Sequence, residues 1–156
     1  MAQDILSLLH RVQGAYSRCI DNGELEAWPD FFEERCVYKV TTADNHAQGL
    51  EAGLIFANSR GMLLDRVASL REANIYERHA YRHFLGQPWI VSEDTGQVCS
   101  ETSFFVMRIM RDGSTDVYAT GRYLDTYALN GGSPRIRERI VVCDSSRFDT
   151  LLALPL

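Results

Sequence analysis

The densest run of side chains able to do chemistry is Glu77-Arg78-His79-Ala80-Tyr81-Arg82-His83. On a helix, His79 and His83 would share a face at the spacing of two metal ligands. The run is not H-E-x-x-H, however, and it leads from a helix stop at Asn74 towards a strand, so it reads as hydrogen-bonded histidines rather than a metal pair. A second group joins Gly121-Arg122-Tyr123-Leu124-Asp125 to Arg135, Arg137, Glu138 and Arg139. Two chemistries fit it. Cross-strand arginine–carboxylate pairs would tie a sheet together. A pocket acid/base, Asp125 with Tyr123 or His83, would move protons inside a curved sheet. The structural pairing is favoured, because nothing in the sequence signals a carboxylate held neutral. No C-x-H…C-x-x-H pattern, glycine-rich phosphate loop or G-x-S-x-G elbow occurs.

The elements that must position these groups belong to one domain, residues 1–156, with 46% hydrophobic and 24% charged residues. A chain of this size buries roughly 70% of its unfolded surface and needs no metal or disulfide staple. Its net charge of −5 and scattered arginines argue against nucleic acid. Lys39 is the single lysine, and an arginine bias suits carboxylate pairing between proteins. Cys19, Cys36, Cys99 and Cys143 are far apart in apolar segments, as expected of buried thiols in a cytoplasmic protein. No basic, apolar leader opens the sequence, and no apolar run approaches the ~18 residues of a membrane span.

Ile5, Leu8, Leu9, Val12, Tyr16 and Ile20 recur at helical spacing, stopped by Asp21-Asn22-Gly23. Leu25 to Phe32 is a short apolar piece that Pro29 keeps from becoming a long helix. Cys36 to Val40 predicts a strand, Thr41 to Ala57 mostly loop, and Arg60 to Glu72 a helix with Ser59 as N-cap and a Leu63, Val67, Leu70 stripe. Four strands follow at Trp89–Glu93, Val98–Met110, Thr115–Leu129 and Arg135–Cys143, separated by turns rich in glycine, asparagine and aspartate. Helices first and an antiparallel meander afterwards is the α+β pattern, with the long first helix packed into a strongly curved sheet.

Phe104, Phe105, Val106 and Met107 are consecutive, so both faces of their strand are apolar. A sheet with one wet face should alternate. One of the two phenylalanines therefore points away from the helix-covered side, where a second chain would cover it.

Several motifs stand in order along the chain: Trp28-Pro29-x-Phe31-Phe32, Met62-Leu63-Leu64-Asp65-Arg66, Tyr81-Arg82-His83 and Gly121-Arg122-Tyr123-Leu124-Asp125. Arg139-Ile140-Val141-Val142-Cys143-Asp144 and a Leu151 to Leu156 tail ending in Pro155-Leu156 close it. In this order the chain resembles, over nearly its full length, the small (β) subunit of Rieske-type aromatic-ring-hydroxylating dioxygenases. Asp44-Asn45-His46-Ala47-x-Gly49-Leu50, Leu70 to His79, and Val142-Cys143-Asp144-Ser145 with Asp149-Thr150-Leu151 are most similar to the family's terephthalate branch. The resemblance implies a cystatin-like roll, the cone of the nuclear-transport-factor-like superfamily. It implies a cytoplasmic assembly of three large and three small subunits, the small ones self-associating as a trimer. The large subunit would carry a Rieske [2Fe-2S] cluster and mononuclear Fe(II) and cis-dihydroxylate an aromatic carboxylate, with terephthalate the best guess. This chain would hold no catalytic residue, metal or cofactor. Tyr81, Arg82, His83, Phe104, Phe105, Arg122, Tyr123, Asp125 and Arg139 are then structural or interface residues. The competing expectation is a stand-alone isomerase or dehydratase on the same cone, which fold alone does not separate.

Overall fold

The computed structural model describes residues 4–51, 53–73, 79–146 and 154–156. Helix α1 (Ile5–Asp21) starts where the Asp4 carboxylate accepts from the Leu6 N–H. It ends at Asn22, with Gly23 at φ 73° turning the chain. A 3-10 helix, Leu25–Phe31, contains Pro29 and buries Leu25 and Trp28. Then come β1 (Phe32–Thr42), α2 (Ala43–Ala47), β2 (Ile55–Ala57), α3 (Arg60–Ala73), β3 (His79–Leu85), β4 (Trp89–Asp94), β5 (Gln97–Met110), β6 (Thr115–Ala128) and β7 (Arg135–Cys143).

The strands form one seven-stranded sheet in the order β2-β1-β7-β6-β5-β3, with β4 also paired to β5. Every pairing is antiparallel except β1 with β7, so the sheet is mixed. The register slips opposite Val106/Met107, where β6 carries the extra residue Tyr118, and opposite Thr126/Tyr127, where β7 carries the extra residue Arg137; such bulges bend the strands that hold them. Leu9, Val12, Tyr16 and Ile20 of α1 are buried in one core with Tyr81, Phe104, Val106, Tyr123 and Val141 from the sheet's inner face. Leu63 and Val67 of α3 close the same core, and Ser59 caps that helix by accepting from the Met62 N–H at 3.2 Å. At Gly121 a Cβ would lie 2.1 Å from the Val142 carbonyl oxygen, so this position in β6 has room for glycine alone.

Two expectations change. The strand expected at Cys36–Val40 begins at Phe32 and runs to Thr42, because β7 gives it a parallel partner along most of that length. The segment from Thr41 to Ala57 is not mostly loop. Thr42 accepts from the Asn45 N–H and starts α2, and β2 pairs with β1 as an edge strand. The turns at Gly96, Gly113 and Gly131 are all in the left-handed region, as their sequences predict. Asn74, Glu77, Arg78 and the Asp149-Thr150-Leu151 stretch lie outside the described residues. Among the described residues no helix is long and apolar enough to cross a membrane.

Candidate functional site

Residue alternation along β6 and β7 sends Tyr123, Asp125 and Tyr127 inward, with Arg139 directly opposite Asp125. The Arg139 guanidinium grips the carboxylate in a fork: Nε donates to Oδ1 at 2.8 Å and Nη2 to Oδ2 at 2.8 Å. The Tyr127 hydroxyl donates to Asp125 Oδ2 at 2.9 Å, and Gln13 of α1 donates to both Tyr127 Oη and Thr102 Oγ1 at 3.1 Å. The guanidinium also lies 4.2 Å from the ring centre of Tyr16 and 4.0 Å from that of Tyr123, which stacks on Phe104 at 4.4 Å. The Asp125 and Arg139 side chains are 0% and 1% exposed. Burial works against the Arg139 charge, but the Asp125 carboxylate together with the Tyr127 and Tyr16 phenols outweighs it and holds the arginine well above its ordinary range. Burial also raises Tyr16, Tyr123 and Tyr127, so these phenols stay protonated. The arrangement locks charge. Asp125 already accepts three hydrogen bonds and has no route to solvent, which a general base requires.

His83 is elsewhere. Its Nδ1 meets Asp21 Oδ1 at 2.6 Å and its backbone N–H donates to Asp21 Oδ2 at 2.9 Å, clipping the end of α1 to β3. Both side chains are buried, and His83 Nε2 has no hydrogen-bond partner among the described residues. Tyr81, two residues earlier on the same face, stacks on Tyr118 at 5.5 Å, and Arg108 lies over that second ring. Arg82 points the opposite way and is exposed. His79 and His83 therefore lie four residues apart along one strand, with Tyr81 between them, rather than one turn apart on a helix.

The remaining candidates separate by face. Arg122 does not join Asp125 and Arg139; one position out of phase, it reaches Glu101 on the outer face at 2.9 Å, with both side chains partly exposed. Phe104 is inside and 4% exposed; Phe105 is outside, 39% exposed and stacked on the half-exposed Phe84 at 4.7 Å. Sequence reasoning missed Gln13, Tyr16, Thr102 and Tyr127 in the network, and Asp21 as the partner of His83. Asp21 read only as a helix stop. A separate cleft of 570 Å³ lies between α1, the 3-10 helix and the β6–β7 turn, lined by Arg18, Cys19, Phe31, Pro134 and Arg135. Burial pushes the Cys19 thiol up to about 11, so Cys19 is not an activated nucleophile. Among the described residues no group of three or more histidine, cysteine or acidic side chains could hold a metal.

The family model described as "Ring hydroxylating beta subunit" matches residues 16–150. The chain belongs to that family. This β subunit is 54% identical, over 91% of its own length and 92% of the other's, to the beta 1 subunit of the terminal oxygenase component of terephthalate 1,2-dioxygenase from Comamonas sp. It is 37% identical, over 95% of its length and 92% of the other's, to the anthranilate 1,2-dioxygenase small subunit of Burkholderia cepacia. Among solved structures, the beta subunit assigned to an aromatic-ring-hydroxylating dioxygenase of Novosphingobium aromaticivorans superposes with a TM-score of 0.89 at 37% identity, covering 97% of this chain and 96% of that one. Its α+β cone is thus the fold of a dioxygenase β subunit, and the chain is one subunit of an oxidoreductase whose partner is a large oxygenase subunit. That membership sets aside the stand-alone isomerase or dehydratase.

Proposed function

We propose that this β subunit is a structural, non-catalytic member of a complex of three large and three small subunits. The large subunit carries the Rieske [2Fe-2S] cluster and mononuclear Fe(II) and cis-dihydroxylates an aromatic carboxylate, with terephthalate first among candidates. The observation that carries the structural role is the buried Asp125–Arg139 fork: the acid suggested by the sequence is saturated with hydrogen bonds, and its arginine partner is packed between aromatic rings. The substrate class rests on two relatives whose names specify ring acids, terephthalate and anthranilate. The small subunits self-associate as a trimer through the outer face of the long strands, where Phe84, Phe105 and Val117 stay exposed. Each is about half exposed, so burying the remainder would recover roughly 1 kcal/mol apiece. The role of Tyr81, His83, Tyr123, Asp125 and Arg139 is to hold the cone's shape; that of Arg82, Arg122 and Phe105, all outward, is to meet other subunits. The complex works in the cytoplasm.

Co-expression with a large oxygenase subunit of this family, followed by mass measurement, is expected to give a three-plus-three complex that oxidises terephthalate and contains iron in proportion to large subunits. The β subunit purified alone is expected to bind no iron and turn over no aromatic acid. Stoichiometric iron in the well-folded isolated chain would overturn the assignment of the metal centres to the partner.

A further inference from the structure

Leu156 is buried with no exposed surface, and Leu154 and Pro155 are buried beside it. Its backbone oxygen accepts from two phenols on different elements, Tyr16 of α1 at 2.9 Å and Tyr38 of β1 at 3.0 Å. Its N–H donates back to the Tyr38 hydroxyl at 3.0 Å. The surroundings are aromatic. Trp28, Phe32 and Tyr38 meet edge to face with centroids between 5.2 and 5.8 Å apart, and Tyr16 reaches Phe32 at 6.2 Å and Tyr123 at 6.4 Å. Beyond Tyr16, the Tyr123 hydroxyl and Arg139 Nη1 are buried without a hydrogen-bond partner among the described residues. Two preorganised O–H donors converging on one oxygen are the arrangement that stabilises an oxyanion. Burial raises both phenols, so they remain donors throughout the neutral range.

We propose that the space around Tyr16 and Tyr38, filled here by Leu154-Pro155-Leu156, is a latent binding site for a small aromatic carboxylate or phenolate, and that this segment is its internal occupant. The anionic oxygen takes the place of the Leu156 oxygen between the two phenols, and the ring replaces apolar side chain against the aromatic walls. Asp125 already balances Arg139, so neutral O–H groups make the site. Such neutral donors suit a singly charged carboxylate or phenolate carried on an apolar ring better than a compact phosphate, which needs opposing charge. Three buried residues occupy more than the ~150 Å³ that admits a benzene-sized guest. The inference concerns the interior of this chain alone and does not rest on its role in the complex.

The test uses the purified β subunit, which keeps the large subunit's own aromatic-acid site out of the measurement. Calorimetric titration with benzoate and with 4-nitrophenolate compares the full chain, a chain stopping after residue 153, and the full chain carrying Leu156→Ala. The shortened chain is expected to bind one benzoate or nitrophenolate per subunit, at least tenfold tighter than toluene, which lacks the oxygen. The full chain is expected to show no such binding. Adding Tyr38→Phe to the shortened chain should weaken the anion about tenfold and leave toluene unchanged, as loss of one hydrogen bond predicts. N-acetyl-Leu-Pro-Leu should compete with benzoate and restore the thermal midpoint. A folded shortened chain that binds neither anion overturns the proposal. So does a shortened chain that fails to fold and that neither peptide nor benzoate restores, if Leu156→Ala also leaves both anions unbound.

Discussion

Replacing Asp125 with asparagine changes one atom and tests the central network. The carboxylate accepts from Arg139 Nε and Nη2 at 2.8 Å each and from the Tyr127 hydroxyl at 2.9 Å. Asparagine keeps one oxygen but turns an NH₂ towards groups that are themselves donors, so at least one bond becomes a donor–donor contact. The guanidinium, 1% exposed, is then left without a counter-charge. Removing one partner of a buried pair costs about 3–5 kcal/mol, a large part of the ~5–15 kcal/mol that holds a domain together. Urea unfolding of the isolated subunit followed by tryptophan fluorescence should show that loss. Arg139→Met should cost a similar amount by stranding the carboxylate, whereas Asp125→Leu with Arg139→Met should cost less than the two single changes combined, because neither charge remains. In the complex, turnover per intact assembly should be unchanged. An Asp125→Asn subunit within ~1 kcal/mol of the parent would refute the energetic argument, and an equally stable complex with lost turnover would restore the acid/base reading.

The two adjacent phenylalanines should behave oppositely: Phe105→Arg should dissociate the assembly while leaving a folded monomer by light scattering, and Phe104→Arg, 4% exposed in the parent, should unfold the chain. Five buried tyrosines, Tyr16, Tyr38, Tyr81, Tyr123 and Tyr127, are raised chiefly by burial. The folded state therefore holds these protons more tightly than the unfolded chain; their contribution is complete below pH ~10 and falls above it by up to ~1.4 kcal/mol per pH unit for each. Phenolate absorbance should rise together with loss of near-ultraviolet circular dichroism, and five tyrosines titrating near pH 10 in a still-folded chain would contradict the burial argument. Asp21→Asn, which breaks the His83 Nδ1 contact at 2.6 Å but keeps an acceptor for its backbone N–H, should lower stability by ~1–3 kcal/mol in urea without changing the assembly's mass.

The long strands, their glycine turns and the first helix were legible because each is written locally: apolar period, cap, left-handed turn. The inside-or-outside choice for Phe104 and Phe105 was not, since a doubly apolar strand reads the same in either phase. Nor could the right arginine be matched to Asp125. Arg122, Arg135, Arg137 and Arg139 are all within reach on paper; the register between β6 and β7, shifted by the bulge at Thr126/Tyr127, selects Arg139. Gln13 and Asp21 escaped for a different reason. On an amphipathic helix a lone glutamine and a terminal aspartate look solvated, and their burial appears only once the sheet curls round them. The edge strand β2 is three residues long and has no signal of its own without β1 beside it.

The parallel pairing of β1 with β7 sets residues 37–42 beside 138–143, about two thirds of the 156-residue sequence apart. A ribosome adding ~5–20 residues per second takes about 5–20 s to cover that interval. Throughout it β1 has no inner neighbour, α1 has no concave surface to fill, and the Asp125–Arg139 fork lacks its arginine. The meander β5–β6–β7 can form locally, but the cone closes only when the last strand docks, after a long loop-closure step. Closure of the cone therefore waits for β7. A chain cut anywhere before β7 should accumulate as an unfolded target for proteases rather than as a partly working subunit, so only copies that include β7 are competent for assembly.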